Sequence, residues 1–325
     1  MRQLELFGGI GAPRQAFENL GVEVKTVDYV EVSKNAVDAY NIMFDDNYKQ
    51  QDITTWNKNV DIDILFHGSP CQDFSKNGKN DLTTGRSILY NRTLEIIDKE
   101  LHVKPKVVIW ENVENLTSNR HKHHLEYYLE YMQKLGYESK YKVLNAANYG
   151  IPQKRKRIFT VSILGKNEFE FPKELPMRNI QEFIDFKADF ESNKLREKEM
   201  QLFFWKNDEL YIYVNSSKKH QLVREFDVIN IERPTSKTRR GRIMQGEQQA
   251  PTITTNKNLA IYYNKKLRYL TALEIWRLMG FPDKKYEDLI NAGITEETII
   301  FLAGNSIVVS VIEEIYKQLL KLNLF

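Results

Sequence analysis

Short apolar runs alternate with helix-spaced apolar positions through the first half of the chain. Residues 3–7 (QLELF), 24–30 (VKTVDYV), 63–68 (DILFHG) and 106–112 (KVVIWEN) read as buried strands. Helical spacing occupies 13–20, 33–43, 87–101 (SILYNRTLEIIDKEL) and 124–136 (HLEYYLEYMQKLG). In the last of these, Leu125, Tyr128, Leu129, Met132 and Leu135 share one face, and Gly136 is the expected stop. Strands alternating with helices predict a parallel sheet covered on both faces.

The rhythm is lost after Gly165, and short strands and polar helices are expected to about residue 264. Helical amphipathicity returns at 271–281 (TALEIWRLMGF) and 306–322 (SIVVSVIEEIYKQLLKL). The fold class expected is therefore α/β, with one lobe built from both ends of the chain. Residues 1–164 form its first part, 165–264 an inserted smaller lobe, and 265–325 the return. No internal repeat or low-complexity segment interrupts this layout.

Composition changes this picture little: 42% hydrophobic and 28% charged residues over 325 positions are ordinary for a globular protein. The net charge is +3, but it is unevenly spread. Residues 215–242 hold eight Lys/Arg against three Asp/Glu. Such a stretch is either a solvated basic face or a surface that tracks phosphates. Cys71 is the single cysteine, which excludes an intramolecular disulfide and a cysteine-rich zinc site. It predicts a reducing, intracellular compartment. No run approaches the roughly 20 apolar residues that span a bilayer.

Four stretches carry candidate chemistry. LFGGIGAPRQAF (6–17) reads as a strand entering a glycine turn and then a helix, where Gly9 and Gly11 would let a ligand approach the backbone. A dinucleotide fingerprint needs G-x-G-x-x-G. Here the last position is Arg14, with Pro13 just inside the helix, which disfavours nicotinamide and flavin cofactors. Glu31 closes the second strand, where a carboxylate can bind both ribose hydroxyls, and Asp52 is expected to follow a third strand in the same way. A nucleoside-bearing cofactor without a pyrophosphate fits; so does a tight turn with N-cap acids.

GSPCQDFS (68–75) follows a strand, so Cys71 is expected at a carboxyl end of the sheet. A loop thiol with a pKa of about 8.5 is partly thiolate near neutrality, although a lone cysteine also serves as a small buried hydrophobe. In WENVEN (110–115), Glu111 ends a strand, placed either to hold a proton or to cap the next helix. In YGIPQKRKRIF (149–159), strand alternation would send Arg155 and Arg157 to one side, facing solvent, an anion or a base edge. HKHH (121–124) reads as solvent-facing rather than as a metal site, and LFFW (202–205) as a core face rather than a base-stacking platform.

Taken in order, these stretches resemble the DNA (cytosine-5) methyltransferases nearly end to end. LFGGIG is similar to the family's cofactor loop, SPCQDFS to its nucleophile loop, ENV to its acid motif and GIPQKRKRIF to its arginine motif. RYLTALEIWRLMGFPD (268–283) and LAGNSIVVSVIEEI (302–315) resemble its C-terminal closing segments. Three places depart from the pattern. Ala12-Pro13 stands where many relatives have a glycine and a bulky residue, and Ser69 stands where phenylalanine is more usual. GRIMQGEQQAPTITTN (241–256) matches the support of the recognition region less closely.

The resemblance implies a Rossmann-like, S-adenosylmethionine-dependent methyltransferase fold with an inserted target-recognition domain. It implies methylation of cytosine carbon 5 in a specific duplex DNA sequence. Cys71 would be the nucleophile, Glu111 would hold ring nitrogen 3 and the exocyclic amine, and Arg157 would hold the ring carbonyl, with Arg155 in support. S-adenosylmethionine would lie along Phe7, Gly9, Ile10, Gly11, Glu31, Val32, Asp52, Ile53, Pro70 and Leu89, closed over by Asn305 and Ser306; no metal is required. The target base would be flipped out, with residues 72–90 closing over it and Gln72, Ser75 and Arg86 touching DNA. Lys237, Arg239, Arg240 and Arg242 are expected on phosphates, Arg242 and Gln245 as base readers, and Thr252 beside them. The implied setting is a monomer in the cytoplasm of a bacterial or virus-infected bacterial cell, with a cognate restriction endonuclease as candidate partner. An RNA cytosine-5 methyltransferase and a catalytically silent DNA-binding relative are the alternatives.

Overall fold

In the first strand, β1 (Arg2–Leu6), alternate side chains face opposite ways. Leu4 and Leu6 enter one hydrophobic core with Tyr90, Leu94 and Tyr128. Gln3 and Glu5 enter the other side, where they accept hydrogen bonds from Tyr316 (3.4 Å) and Tyr40 (2.8 Å). A strand buried on both faces belongs inside an α/β sheet, and the computed structural model, which describes residues 1–70, 89–244 and 248–325, has one.

β1 lies between β2 (Lys25–Val30) and β3 (Ile64–His67), and β3 pairs with β4 (Val107–Val113), all in parallel. The periodicity also predicted the helices α1 (Ala12–Asn19), α2 (Lys34–Phe44) and α4 (Lys122–Lys134). It placed α3 (Tyr90–Glu95) too, which a π-helical turn, Ile96–Glu100, extends. Two strands were not anticipated as a pair: β5 (Tyr137–Asn145) and, after the two-residue β6 (Gln153–Lys154), β7 (Lys156–Leu164). β7 runs antiparallel to both β4 and β5, giving the order β2-β1-β3-β4-β7-β5. The C-terminal helix Val309–Leu320 packs on α1, with Phe17 stacked on Tyr316 at 3.8 Å.

The chain divides into two compact units. The first is Met1–Asn145, Lys156–Glu174 and Val309–Phe325; the second is Ala146–Arg155 and Leu175–Val308. The expected cuts after residues 164 and 264 fall elsewhere. Residues 146–155 go with the second unit because β6 pairs with β13 (Ala250–Pro251). Residues 265–308 go with it because their strand and helices pack there.

The second unit holds a three-stranded sheet of β8 (Phe203–Lys206), β9 (Glu209–Tyr213) and β10 (His220–Val223). A four-stranded sheet joins β11 (Val228–Asn230), β12 (Arg242–Ile243), β14 (Leu259–Tyr263) and β15 (Lys266–Tyr269). Helices α5 (Glu197–Met200), α6 (Ala272–Arg277), α7 (Asp283–Asn291) and α8 (Glu296–Asn305) complete it. Its core includes Leu210, Ile212, Val223, Ile229, Ala260 and Tyr262. LFFW is only half a core face: Leu202 is buried and Phe203 packs against that core, whereas Phe204, the next residue along β8, stacks on Tyr213 on the other side of β8 and β9, because strand residues alternate. Arg268 and Glu274 form a fully buried bidentate pair at 2.6 and 2.8 Å. Glu274 also accepts from the Thr271 and Asp185 N–H groups, so both ions are satisfied. No single helix among the described residues is long and apolar enough to cross a membrane.

Candidate active site

Parallel pairing puts the carboxyl ends of β1 to β4 along one edge of the first unit. The strand order reverses between β1 and β3, the place where open α/β sheets bind ligands. Reversal of β7 brings its amino end to the same edge, since Arg157 is in register with Val113. That edge therefore collects Glu31, the glycine turn, Ser69–Pro70, Glu111 and Arg157 in spatial order.

The turn after β1 is strained and tight. Phe7 itself adopts a φ of 54°, a conformation that costs a non-glycine residue about 1–3 kcal/mol. Gly11 has φ 73°, and a Cβ there would lie 2.5–2.8 Å from the Phe44 and Tyr40 rings. Gly9 also has positive φ, but a Cβ there would meet nothing within 4 Å, so its outer side is open. The Glu31 carboxylate accepts from the Gly9 N–H at 3.1 Å and the Ser33 N–H at 2.8 Å, and Tyr29 donates to the Gly9 carbonyl at 2.6 Å. Val32 is 67% exposed beside it. Beneath the turn, burial pushes the Glu5 carboxyl up to about 7 despite its hydrogen bond from Tyr40 and the nearby Arg14.

Asp52 is a correction: it does not follow a third strand, because β3 comes later in the chain. It is brought to the end of β2 by the Gln51 N–H, which donates to the Glu31 carbonyl at 2.9 Å. Its exposed carboxylate accepts from the Thr54 N–H and hydroxyl, which hold it below the ordinary value. Ile10 and Ile53 bury their side chains, leaving only backbone for a ligand, and Leu89 sits half-buried at the start of α3.

At the end of β3, Ser69 is buried and gripped by β4. Trp110 Nε1 donates to Ser69 Oγ at 2.9 Å, and Asn112 Nδ2 donates to the Ser69 carbonyl at 3.2 Å. Two residues before it, neutral His67 lies over Trp110 and bonds Tyr128 at 3.1 Å; burial pushes its pKa down to about 3. The sequence reading missed the roles of Trp110 and Asn112; their place on the strand that carries Glu111 was the available signal. Glu111, 9% exposed, faces Arg157 Nε at 3.2 Å. HKHH is also corrected: His121 and His124 are buried, and His124 Nδ1 meets the Tyr90 hydroxyl at 2.9 Å. Cys71, Gln72, Ser75, Arg86 and Gln245 lie outside the described residues.

Arg155 does not share a strand face with Arg157. The chain is not a continuous strand here: Arg155 N–H bonds back to the Gln153 carbonyl at 2.9 Å, breaking the alternation. In the second unit its buried guanidinium donates to the carbonyls of Ile253, Gly304 and Ser306 at 2.9, 3.0 and 2.6 Å. Asn305 between the last two is exposed, and Ser306 is buried. Thr252 donates to the Lys154 carbonyl at 2.5 Å. In the same unit Lys237, Arg239 and Arg242 are exposed, and Arg240 Nε donates to the Ser236 carbonyl. Partial burial and the neighbouring Arg239 push the Arg242 guanidinium below its ordinary value.

A sheet of this order with one reversed strand, entered through a glycine turn, is the fold of S-adenosylmethionine-dependent methyltransferases. The crystal structure of Schizosaccharomyces pombe Dnmt2 methyltransferase has it, with a TM-score of 0.70 at 21% identity over 100% of both chains. Residues 1–321 match the family model for C-5 cytosine-specific DNA methylases, and the chain belongs to that family. The type II methyltransferase M.HhaI of Haemophilus parahaemolyticus is 31% identical over 97% of this chain and 93% of its own length. M.Bsp6I, a type II methyltransferase of Bacillus sp. (strain RFL6), is 30% identical over 97% of this chain and 98% of its own. The chain is thus a DNA cytosine-5 methyltransferase, an enzyme whose substrate is DNA and whose methyl donor is of the S-adenosylmethionine type.

Proposed function

We propose that this enzyme methylates carbon 5 of a cytosine flipped out of a specific duplex DNA sequence, through a covalent adduct with Cys71. The pairing of Glu111 with Arg157 at 3.2 Å on adjoining strands carries the reading. It sets a carboxylate and a guanidinium side by side at the sheet edge that leads into the Cys71 segment.

The Cys71 thiolate adds to carbon 6 of the ring, which breaks the 5,6 double bond and makes carbon 5 nucleophilic. Negative charge moves into the ring. Glu111, carrying a proton, would donate it to nitrogen 3 and accept from the exocyclic amine with its other oxygen, and Arg157 donates to the ring carbonyl oxygen, so the negative charge is met by donors where it develops. Bound S-adenosylmethionine supplies an electrophilic methyl group on a sulfonium. Carbon 5 would take that methyl as the carbon–sulfur bond breaks and the donor leaves as a neutral thioether; loss of the carbon-5 proton to water then restores the double bond and expels the thiolate.

The first unit's residues suit that cofactor. Each Glu31 oxygen accepts one backbone N–H and keeps a lone pair for a ribose hydroxyl. Asp52 offers an acceptor for an amine, Val32 an apolar wall, and Gly9 an open backbone. Phe7, Ile10, Gly11, Ile53, Pro70 and Leu89 complete the cradle. Asn305 and Ser306 are assigned to the cofactor, and Gln72, Ser75, Arg86, Lys237, Arg239, Arg240, Arg242, Gln245 and Thr252 to DNA. We further infer a monomer that acts alongside a cognate restriction endonuclease.

The test is transfer of a labelled methyl group to duplex DNA and to transfer RNA by the purified protein, with bisulfite sequencing of the product. Duplex DNA is expected to be labelled, and Cys71→Ser to remove transfer while cofactor binding persists. Label on transfer RNA alone, label on neither, or turnover by Cys71→Ser would each overturn part of the proposal.

A further inference from the structure

The turn after β1 is held by the end of β2. It closes on itself where the Gly11 N–H donates to the Gly8 carbonyl at 3.0 Å, with Gly9 inside it at φ 54°. Both backbone groups of Gly9 are taken from outside the turn. Its N–H donates to one Glu31 oxygen at 3.1 Å, and its carbonyl accepts from the Tyr29 hydroxyl at 2.6 Å. Glycine has more backbone freedom than any other residue. Tying Gly9 at both ends removes that freedom before a ligand arrives, so binding does not bear its cost.

The Tyr29 ring is itself fixed. It is buried, lies 4.0 Å from the Tyr40 ring and 5.5 Å from the Tyr48 ring, and would be 2.5 Å from a Cβ on Gly8. Burial, and then the Glu31 and Glu5 carboxylates, raise its phenol well above the ordinary value, so it stays a donor near neutrality. The Glu31 carboxylate takes its direction from two N–H groups that bond it directly, Gly9 on one oxygen and Ser33 on the other at 2.8 Å. The first of these is only as well placed as Gly9 is. We propose that Tyr29 is a positioning residue for cofactor binding: by holding the Gly9 carbonyl it keeps the Gly9 N–H on Glu31, and so keeps the carboxylate in a fixed orientation. This rests on the assignment of Glu31 to the cofactor in the proposed function. Gly9, Tyr29, Glu31 and Ser33 all belong to the first unit.

Tyr29→Phe removes the hydroxyl and keeps the buried ring. S-adenosylmethionine affinity of the full-length protein is read by calorimetry, with duplex DNA affinity and the urea unfolding midpoint measured alongside. Tyr29→Phe is expected to weaken cofactor binding about five- to tenfold, the effect of losing one hydrogen bond, and to leave duplex affinity at the parent value. Glu31→Ala is expected to weaken cofactor binding about tenfold. The double variant should be about as weak as Glu31→Ala alone, because Tyr29 then has no carboxylate to position. Parent-like cofactor affinity in Tyr29→Phe, whatever its unfolding midpoint, makes the bond merely structural and overturns the proposal. A matching fall in duplex affinity, which marks general loosening, overturns it as well. Losses that multiply in the double variant do the same, since Tyr29 then acts apart from Glu31. A silent Glu31→Ala instead overturns the Glu31 assignment, and the inference with it.

Discussion

Replacing Ser69 tests how the end of β3, which leads in sequence to the proposed nucleophile Cys71, is anchored. Ser69 is 3% exposed, and Trp110 and Asn112, which donate to it, are each 1% exposed. In Ser69→Ala the indole N–H of Trp110 stays buried and loses its acceptor, while Asn112 keeps the Ser69 carbonyl. A buried donor left without a partner costs about 1–3 kcal/mol. Ser69→Phe, which restores the family's more usual residue, removes the same acceptor and forces a ring into a filled site, adding about 1–3 kcal/mol of overpacking. Trp110→Phe alone removes the donor together with its need, so Ser69→Ala in that background should cost less than in the parent. Urea unfolding followed by circular dichroism, with turnover on a DNA substrate measured alongside, gives these differences. Turnover should fall in the order parent, Ser69→Ala, Ser69→Phe. A Ser69→Ala protein within about 0.5 kcal/mol of the parent, the ordinary range for substitutions away from such features, would refute the anchor.

Glu5 holds a proton in the folded chain up to about pH 7 that the unfolded chain releases near 4.5. Its contribution is therefore complete below about pH 4.5 and is lost as pH rises through 7, about 3 kcal/mol in all. Glu5→Gln should flatten the stability profile between pH 5 and 8; parallel profiles for parent and variant would count against this. Gly11→Ala meets both a positive φ and the Tyr40 and Phe44 rings, whereas Gly9→Ala meets only the positive φ, so the first should cost at least about twice the second in denaturation. Equal losses would refute the packing argument. Replacing Lys237 or Arg239 singly with Ala should lower the salt slope of duplex binding by about one unit and weaken all sequences alike. Two unchanged slopes would reduce this stretch to a solvated face.

The strands and helices of the first unit were legible where burial imposed a period. Leu4 and Leu6 alternate, and α4 carries a full apolar face, so both elements are written locally. β5 was not, because its exposed Glu138, Tyr141 and Lys142 mix with few buried residues, and its place at the sheet edge asks little of its outward side chains. Glu31, Glu111 and Arg157 were legible because each stands at a strand end, and strand ends gather at one edge. Asp52 reached that edge by a backbone hydrogen bond from Gln51, which no periodicity encodes. Arg155 was misplaced for a similar reason: the break at Gln153–Arg155 is made by hydrogen bonds and by pairing with Ala250–Pro251, distant in sequence. The grip on Ser69 needed the register of β3 against β4.

The reversal of β7 makes chain length, more than residue identity, the constrained quantity between Arg157 and Leu164. Substituting one buried aliphatic residue for another there leaves the ladder to β4 intact. Deleting a single residue, with Ile163 still opposite Val107, would slide Arg157 to the partner of Asn112 and turn its side chain through the sheet, away from Glu111. The two charges are thus set by counting along a ruler of backbone hydrogen bonds. Mutational damage here should follow insertions and deletions far more steeply than conservative replacements.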